Sequence, residues 1–163
     1  MGGRVLRLAL LAAAVAVACD DDDDGPAIGP GPAAEEFSAT LTGASERPNP
    51  VETSATGTAE FTFSGDTLYF TITADSLSSP VTAAHIHGPA GPEAVAPPIL
   101  GFTITDTTLT SGTVATGFAT APTDPSISLD SLVALMRNGN AYANVHTSNF
   151  PDGEIRGQIF RQP

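Results

Sequence analysis

The chain has 163 residues and a formal net charge of -12, with 6 basic residues against 18 acidic ones. Such a surface repels nucleic-acid phosphates, and because no basic stripe offsets the repulsion, the charge argues against nucleic acid as a partner. The length fits one domain with short appendages, and the abundance of Thr, Ser and Gly favours β structure.

Residues 1–18 have the pattern of an export signal. Arg4 and Arg7 precede an apolar stretch from Leu8 to Ala18. A basic start, a short apolar run and small residues before the cut are typical of a signal peptide. The run is shorter than the roughly 20 residues that a membrane-spanning helix needs. We therefore predict a cleaved signal peptide and an exported protein.

The next residue, Cys19, follows a segment that resembles a bacterial lipoprotein box, Ala16-Val17-Ala18-Cys19. In such a box the cysteine is lipidated and becomes the new N-terminus. Several acyl chains, at about 0.8 kcal/mol per buried methylene, would anchor the protein to a membrane of the cell envelope, periplasmic or at the cell surface. Because the chain has one cysteine, a lipidated Cys19 would leave neither a disulfide nor a redox thiol. Ordinary cleavage near Ala18, leaving a free thiol, is the alternative.

Residues 19–35 are predicted to be a disordered tether. Asp20–Asp24 is an acidic run, and Gly and Pro follow it. The segment has too few apolar groups to offset the entropy of ordering, so a self-repelling spacer is expected, with calcium binding as the alternative. The folded domain is predicted to span residues 36–163.

Period-two alternation of apolar residues begins at residue 36 and indicates β-strands. It is present in EFSATLTG, GTAEFTFSG and DTLYFTITAD, and the short turn Ser64–Thr67 joins the last two as a hairpin. Further strands are predicted in VTAAHIHG, ILGFTIT, LTSGTVATGF, NAYANVHT and EIRGQIF, with the proline-rich GPAGPEAVAPP as a loop.

One helix is predicted, in SLDSLVALMRNG. Ser128 can cap its start, Leu132 and Met136 belong to an apolar stripe, and Gly139 can end it. About eight short strands at roughly ten-residue spacing, with one short helix at the edge, predict an all-β fold, an antiparallel β-sandwich or small barrel.

Polar side chains share one face in three of the predicted strands, because residues two apart in a strand point to the same side. The polar residues are His85 and His87 in the first strand, Tyr142, Asn144 and His146 in the second, and Glu154, Arg156 and Gln158 in the third. Isoleucine, valine and alanine occupy the opposite face. If the strands are neighbours in the fold, these polar faces form one cluster, which is where we expect function.

The same motifs resemble the CHRD domain, a module first described in chordin and common in exported bacterial proteins. The resemblance runs from about Phe37 to Phe160 and rests on FSATLTGASERPNPVET, AAHIHGPAG and NAYANVHTSNFPDGEIRGQI. It implies an immunoglobulin-like or superoxide-dismutase-like Greek-key sandwich of poorly defined activity, and it supplies no reaction.

Two interpretations of the polar cluster remain open. His85, His87 and His146 offer three imidazoles to Zn²⁺ or Cu²⁺, and copper/zinc superoxide dismutase also sets a His-x-His pair on a sandwich strand, an analogy of architecture only. Alternatively, the imidazoles form a hydrogen-bonded polar patch that pins strand pairing. The other members of that patch are Asn144, Glu154, Arg156 and Gln158. Glu154 and Arg156 are expected to form a side-by-side ion pair worth at most about 1 kcal/mol if exposed.

No catalytic motif accompanies the cluster: the sequence has no G-x-S-x-G, no phosphate loop and no evident acid pair, so we do not expect an enzyme. The first hypothesis is an exported, membrane-anchored, non-catalytic binding or scaffold module for a protein, extracellular-matrix or cell-surface partner. It predicts no bound transition metal and a stability change within about 1 kcal/mol on His87→Ala. The second hypothesis is an exported copper- or zinc-binding protein with a three-histidine surface site. No cofactor follows with certainty.

Overall fold

The structure is a computed structural model that describes residues 33–163. The predicted signal peptide, Cys19 and all but the end of the predicted tether lie outside the described residues. The strands are β1 (Glu35–Thr42), β2 (Thr56–Ser64), β3 (Thr67–Asp75), β4 (Val81–His87), β5 (Pro98–Gly101), β6 (Gly112–Ala119), β7 (Tyr142–Thr147), β8 (Ile155–Gln158) and β9 (Phe160–Arg161), with helix α1 (Leu129–Arg137) before β7 and a short 3-10 turn at Gly43–Ser45. Within residues 33–163, no helix is both long enough and apolar enough to span a membrane.

A single antiparallel sheet joins the strands in the order β5-β4-β7-β8-β1-β2-β3-β6, and β9 pairs with β1. The sheet curls into two halves around a common core. We name β5-β4-β7-β8 the histidine half-sheet and β1-β2-β3-β6 the threonine half-sheet. The register pair that joins them is Thr42 with Arg156. The predicted all-β antiparallel fold with one short helix is confirmed, and the curled sheet corresponds approximately to the predicted sandwich.

The predicted hairpin is present between β2 and β3, where Ser64 pairs with Thr67. Gly65 in the turn has a φ of 59°, a conformation that glycine adopts without steric penalty. Helix α1 also begins and ends as expected. Ser128 Oγ accepts a hydrogen bond from the Ser131 backbone N–H, and Gly139 follows the helix with a φ of 64°.

Two predicted strands differ from the observed ones. Strand β5 ends at Gly101 because the chain turns inward, where the Phe102 ring packs 4.5 Å from Phe70 between centroids. The final predicted strand is divided at Ile159, whose side chain is fully buried and whose N–H donates to Ala141. Phe160–Arg161 then pairs with β1, so nine strands are present in residues 33–163 rather than about eight.

The core determines which face of the histidine half-sheet remains for function. Ile86 in β4, Ala143 and Val145 in β7, and Ile155 in β8 are each at most 1% exposed and belong to the common core. Successive side chains of a strand point to opposite faces. The polar residues between these apolar ones therefore lie on the outer face of the half-sheet.

Candidate functional site

Register places the polar residues of β4, β7 and β8 side by side. His85 pairs with Asn144, and Asn144 pairs with Arg156 on its other side. His87 pairs with Tyr142 in the same way, and Tyr142 pairs with Gln158. The outer face of the histidine half-sheet therefore holds the residues that the sequence proposed for the cluster except Glu154. That residue precedes β8, and its carboxylate is hydrogen-bonded to Thr53, Ser78 and Thr147 rather than to the cluster.

The three histidines converge at the β4–β7 boundary. His85 Nδ1 lies 3.2 Å from His146 Nε2. One ring nitrogen of each of the three side chains lies within 4.8 Å of the others. His146 is thus next to the His85–His87 pair, which is the proximity that a shared site requires.

Backbone carbonyls orient two of these rings. His87 Nδ1 is 3.0 Å from the carbonyl oxygen of Ala96, and His146 Nδ1 is 2.9 Å from that of Pro151. A carbonyl oxygen only accepts, so each Nδ1 carries the proton and each Nε2 presents a lone pair. His85 Nδ1 then donates to His146 Nε2. A carbonyl that fixes the far nitrogen of an imidazole is the usual arrangement around a metal-ligating histidine.

Burial keeps the three imidazoles neutral. It lowers the pKa of His87 to about 4, a value that repulsion from His85 also favours. Burial likewise lowers the pKa values of His85 and His146. Neutral imidazole is the form that binds a metal, since a proton would occupy the ligating lone pair.

Two loops cover the site. They are the segment 88–97, which supplies the Ala96 carbonyl, and the segment 148–153, which supplies the Pro151 carbonyl. His87 and His146 are each only 9% exposed, and His85 is partly exposed. The sequence suggested that the histidines lie on an open surface, but loops cover them. Alternation places the histidines on the outer face and does not reveal the loops above that face.

Glu154 connects the segments around Thr53 and Ser78 to strand β7. Its carboxylate accepts hydrogen bonds from Thr53 Oγ1 at 2.8 Å, from Thr147 Oγ1 at 2.7 Å, and from the Ser78 N–H and Oγ at 2.9 and 3.0 Å. Burial opposes its charge, but these hydrogen bonds leave the pKa of Glu154 below its ordinary value. Among the ion pairs of residues 33–163 there is none between Glu154 and Arg156, so the predicted pair is wrong: hydroxyl and amide groups satisfy this carboxylate instead.

Arg156 is buried against an aromatic ring. Its side chain is 1% exposed, and its guanidinium carbon lies 3.5 Å from the centroid of the Tyr142 ring. Tyr142 in turn stacks on His87, with centroids 4.8 Å apart and planes 5° from parallel. Arg156 Nη2 donates to the carbonyl oxygens of Gly91 and Ala94 at 3.2 and 2.8 Å, which ties the 88–97 loop to the sheet.

The structure adds one residue, Glu46, that sequence reasoning did not single out. It is 4% exposed, and its Oε1 accepts a 2.7 Å hydrogen bond from Asn144 Nδ2. Burial raises the pKa of Glu46 to about 7, although the nearby Arg156 charge opposes the shift. The available signal was its place in the first CHRD-like motif, but nothing in the alternation of β1 indicates that the chain after it returns to this face.

Four buried side-chain atoms in residues 33–163 lack a hydrogen-bond partner, and all belong to this face. They are His87 Nε2, Asn144 Oδ1, Arg156 Nη1 and Gln158 Oε1. Leaving a buried polar group unpaired costs about 1–3 kcal/mol. On this face, a bound water, ion or small molecule that paired with these atoms would relieve that cost.

The geometry of the histidines is close to that of a metal centre. A tetrahedral ion with nitrogen ligands at 2.0–2.1 Å needs those nitrogens about 3.3 Å apart. His85 Nδ1 and His146 Nε2 already have this spacing at 3.2 Å, and a ring nitrogen of His87 lies within 4.8 Å of the other two histidines. Within the described residues no carboxylate or thiol joins the three, so a fourth ligand would be water or a small molecule reaching the site beside His85.

Comparison with known families gives one finding. The model of the CHRD domain matches residues 37–159, which is most of the chain. The match begins in β1 and ends just after β8, so it includes the whole polar face and all three histidines. No curated protein and no solved structure matches the chain.

Proposed function

The chain belongs to the CHRD family, and on that premise we propose that it is a non-catalytic binding module that holds one copper or zinc ion through His85, His87 and His146. The family assignment suggests a binding module rather than an enzyme. CHRD domains are typically exported, which agrees with the signal-like pattern of residues 1–18.

Two observations carry the metal proposal: buried His87 Nε2 has no partner, and one ring nitrogen from each of the three histidines lies within 4.8 Å of the others. The Ala96 carbonyl accepts a hydrogen bond from the Nδ1–H of His87, so the unpaired Nε2 presents a lone pair. A metal ion would accept that lone pair and the one on His146 Nε2, and neutral His85 would ligate through Nδ1 if its proton were carried on Nε2 instead.

The donor set narrows the choice of metal. Three imidazoles without a carboxylate suit zinc and copper better than magnesium or calcium, which prefer oxygen ligands. The three imidazoles would ligate the ion, and the backbone carbonyls would keep two of those rings in place. Because His85 is partly exposed, the bound ion could exchange with solvent.

The alternative interpretation, a polar patch that only pins strands, accounts for part of the face. Glu154 and Gln158 are hydrogen-bonded to neighbouring loops and have structural roles. It leaves His87 Nε2 without a partner, whereas most buried polar side-chain atoms in folded proteins have one.

We extend the proposal to the cell envelope. Lipidation of Cys19 would anchor the module, and the acidic residues 20–24 would hold it away from the membrane; a protein or cell-surface component is then a possible further partner. Mass spectrometry of the protein from a bacterial host tests this: a diacylglyceryl mass on an N-terminal Cys19, absent in Cys19→Ser, is expected. An unmodified cysteine would contradict it.

The metal proposal is tested by titrating the purified chain with Cu²⁺ and Zn²⁺ in separate calorimetric experiments. We expect one equivalent of at least one ion to bind with micromolar affinity or tighter, corresponding to about −8 kcal/mol. The triple variant His85→Ala, His87→Ala, His146→Ala removes every imidazole of the chain and should abolish this binding.

The acidic run supplies the matched control, because Asp20–Asp24 offers five carboxylates at a distance in sequence from the histidines. Replacing these five residues with asparagine should leave the affinity unchanged. Retention of binding in the triple histidine variant, or its loss in the asparagine variant, would contradict the three-histidine centre.

A further inference from the structure

A second feature of the same face is a buried cation that forms no ion pair within the described residues, although the carboxylates of Glu46 and Glu93 are near enough to act on its charge. Arg156 is 1% exposed. Within residues 33–163, no carboxylate oxygen lies within 4.0 Å of its guanidinium nitrogens, the distance that defines an ion pair. Its Nη2 is occupied by backbone carbonyls, whereas Nη1 is buried and has no partner. Because a buried charge is costly unless it is paired, this guanidinium is suited to an anion from solution.

A cavity of about 150 Å³ adjoins this guanidinium. It is lined by Ala44, Ser45, Arg47, Pro92, Arg156 and Gln158. Arg47 brings a second positive charge to the cavity, although its Nε and Nη2 are held by Glu93 at 3.0 Å. Of these two arginines, the donor without a partner is therefore Arg156 Nη1, and Arg156 is one of the residues that line this space.

Gln158 limits what that ion can be. Its Nε2 donates to the carbonyl oxygens of Ala90 and Gly139 at 2.8 and 2.7 Å, and because both of these only accept, the orientation of the amide is fixed. Gln158 Oε1 is then a buried acceptor without a donor. A fully deprotonated anion would be repelled by this oxygen, whereas an anion that retains a hydroxyl would donate to it.

We propose that this cavity binds a small protonated oxyanion, with hydrogen phosphate or hydrogen carbonate as the chemical class. Oxyanion oxygens would accept from Arg156 Nη1 in a charge-assisted hydrogen bond. The remaining hydroxyl would donate to Gln158 Oε1. One ligand would thus satisfy two of the unpartnered atoms, and the site depends on no metal at the histidines.

The test is calorimetric titration of the full chain, stripped of metal by a chelator, with potassium phosphate and potassium sulfate near pH 7 at constant ionic strength. The two ions have the same shape, but only phosphate carries a proton at this pH. We expect saturable phosphate binding and sulfate binding at least about tenfold weaker, because a site with a buried acceptor discriminates against a ligand without the donor. Hydrogen carbonate as a third titrant distinguishes the two members of the class.

Equal affinity for sulfate and phosphate would overturn the assignment to a protonated oxyanion, and no binding of phosphate or hydrogen carbonate would overturn the site. Arg156→Met should weaken phosphate binding at least about tenfold, the loss of one charge-assisted contact. The outcome is independent of the metal proposal because the protein is free of metal throughout.

Arg156 also stacks on Tyr142, so Arg156→Met can fail to fold. A titration of the unaltered protein avoids this difficulty. In nitrogen–proton correlation spectra, the side-chain amide of Gln158 should shift saturably with phosphate, whereas that of exposed Gln162 should not. An unmoved Gln158 signal at saturating phosphate would overturn the proposal.

Discussion

The two half-sheets have the same alternation of apolar and polar residues, but the outer polar residues are exposed on one half-sheet and covered on the other. On the threonine half-sheet the outer polar groups are open to water, as in the Thr71–Thr116 pair at 3.2 Å. On the histidine half-sheet the outer polar groups lie beneath loops, and four of their atoms are buried without a partner. Polar groups that water can reach cost little, whereas polar groups shielded from water need a ligand or a binding role to account for their retention.

Cavity size alone does not identify which half-sheet is the better candidate for binding. A cavity of about 640 Å³ lies over the threonine half-sheet, and exposed Tyr69 and Phe118 line it with rings 6.2 Å apart. The cavity next to Arg156 is about 150 Å³. The smaller space is the better candidate for binding because its walls contain unpaired buried donors and acceptors.

The largest expected effect is on Glu154, which joins the segments around Thr53 and Ser78 to β7 of the histidine half-sheet. Glu154→Ala should lower the free energy of unfolding by about 3–5 kcal/mol, since four hydrogen-bond donors lose their common acceptor. Glu60→Ala on the exposed face of the threonine half-sheet is the matched control and should stay within about 0.5 kcal/mol. Urea unfolding measures both, and equal losses would remove the contrast between the faces.

The next effect is a pH dependence that belongs to Glu46. The pKa of this carboxyl rises from 4.5 to about 7 on folding, so the folded state retains a proton that the unfolded state releases. Stability relative to Glu46→Gln should therefore fall by roughly 2–3 kcal/mol as the pH rises from about 4.5 to 7. The variant keeps an oxygen to accept from Asn144.

Titration of the histidines changes the stability with pH in the opposite direction. The contribution of Glu46 is therefore measured as the difference between the unaltered protein and Glu46→Gln. The pKa of His87 falls from 6.5 to about 4 on folding, and stability from this group rises with pH across that window. Subtracting the variant's unfolding curve from that of the unaltered protein removes this contribution. A difference that stays constant from pH 4.5 to 7 would contradict the assigned burial of Glu46.

A smaller effect is expected at His87 itself in the metal-free protein. His87→Ala should cost about 1–2 kcal/mol, because the buried ring loses its stacking on Tyr142. His85→Ala, at the partly exposed member of the cluster, should cost less. Thermal unfolding in the presence of a chelator gives both values; a change below 0.5 kcal/mol for His87→Ala would instead match the expectation from sequence and place the ring outside the packed stack.

The smallest effect is expected on the threonine half-sheet. Thr71→Ala breaks an exposed cross-strand hydrogen bond to Thr116 and should cost no more than about 1 kcal/mol, the ordinary range for such pairs. Urea unfolding measures it. A loss as large as that of Glu154→Ala would show that this open face is as constrained as the covered one.

Sequence alternation was sufficient to predict the strands and the common face of His85, His87 and His146. It succeeds because side-chain direction in a strand depends only on position along the chain. The two ends of helix α1 could also be predicted from the sequence, since Ser128 caps its start and Gly139 follows its end, and both act on adjacent residues only.

The parts that sequence did not predict depend on contacts between distant segments. The carbonyls of Ala96 and Pro151 orient two histidines, but a backbone acceptor has no residue identity to reveal it. The expected Glu154–Arg156 pair failed for a related reason: the hydroxyl of Thr53, distant in sequence, occupies that carboxylate.

The most direct test of the metal centre is X-ray absorption spectroscopy of the full chain loaded with one equivalent of the copper or zinc ion that binds more tightly. The three-histidine centre predicts imidazole scattering from three nitrogen ligands at about 2.0–2.1 Å. A first shell made only of oxygen ligands, with no imidazole scattering, would contradict it and assign the bound metal to the acidic residues instead.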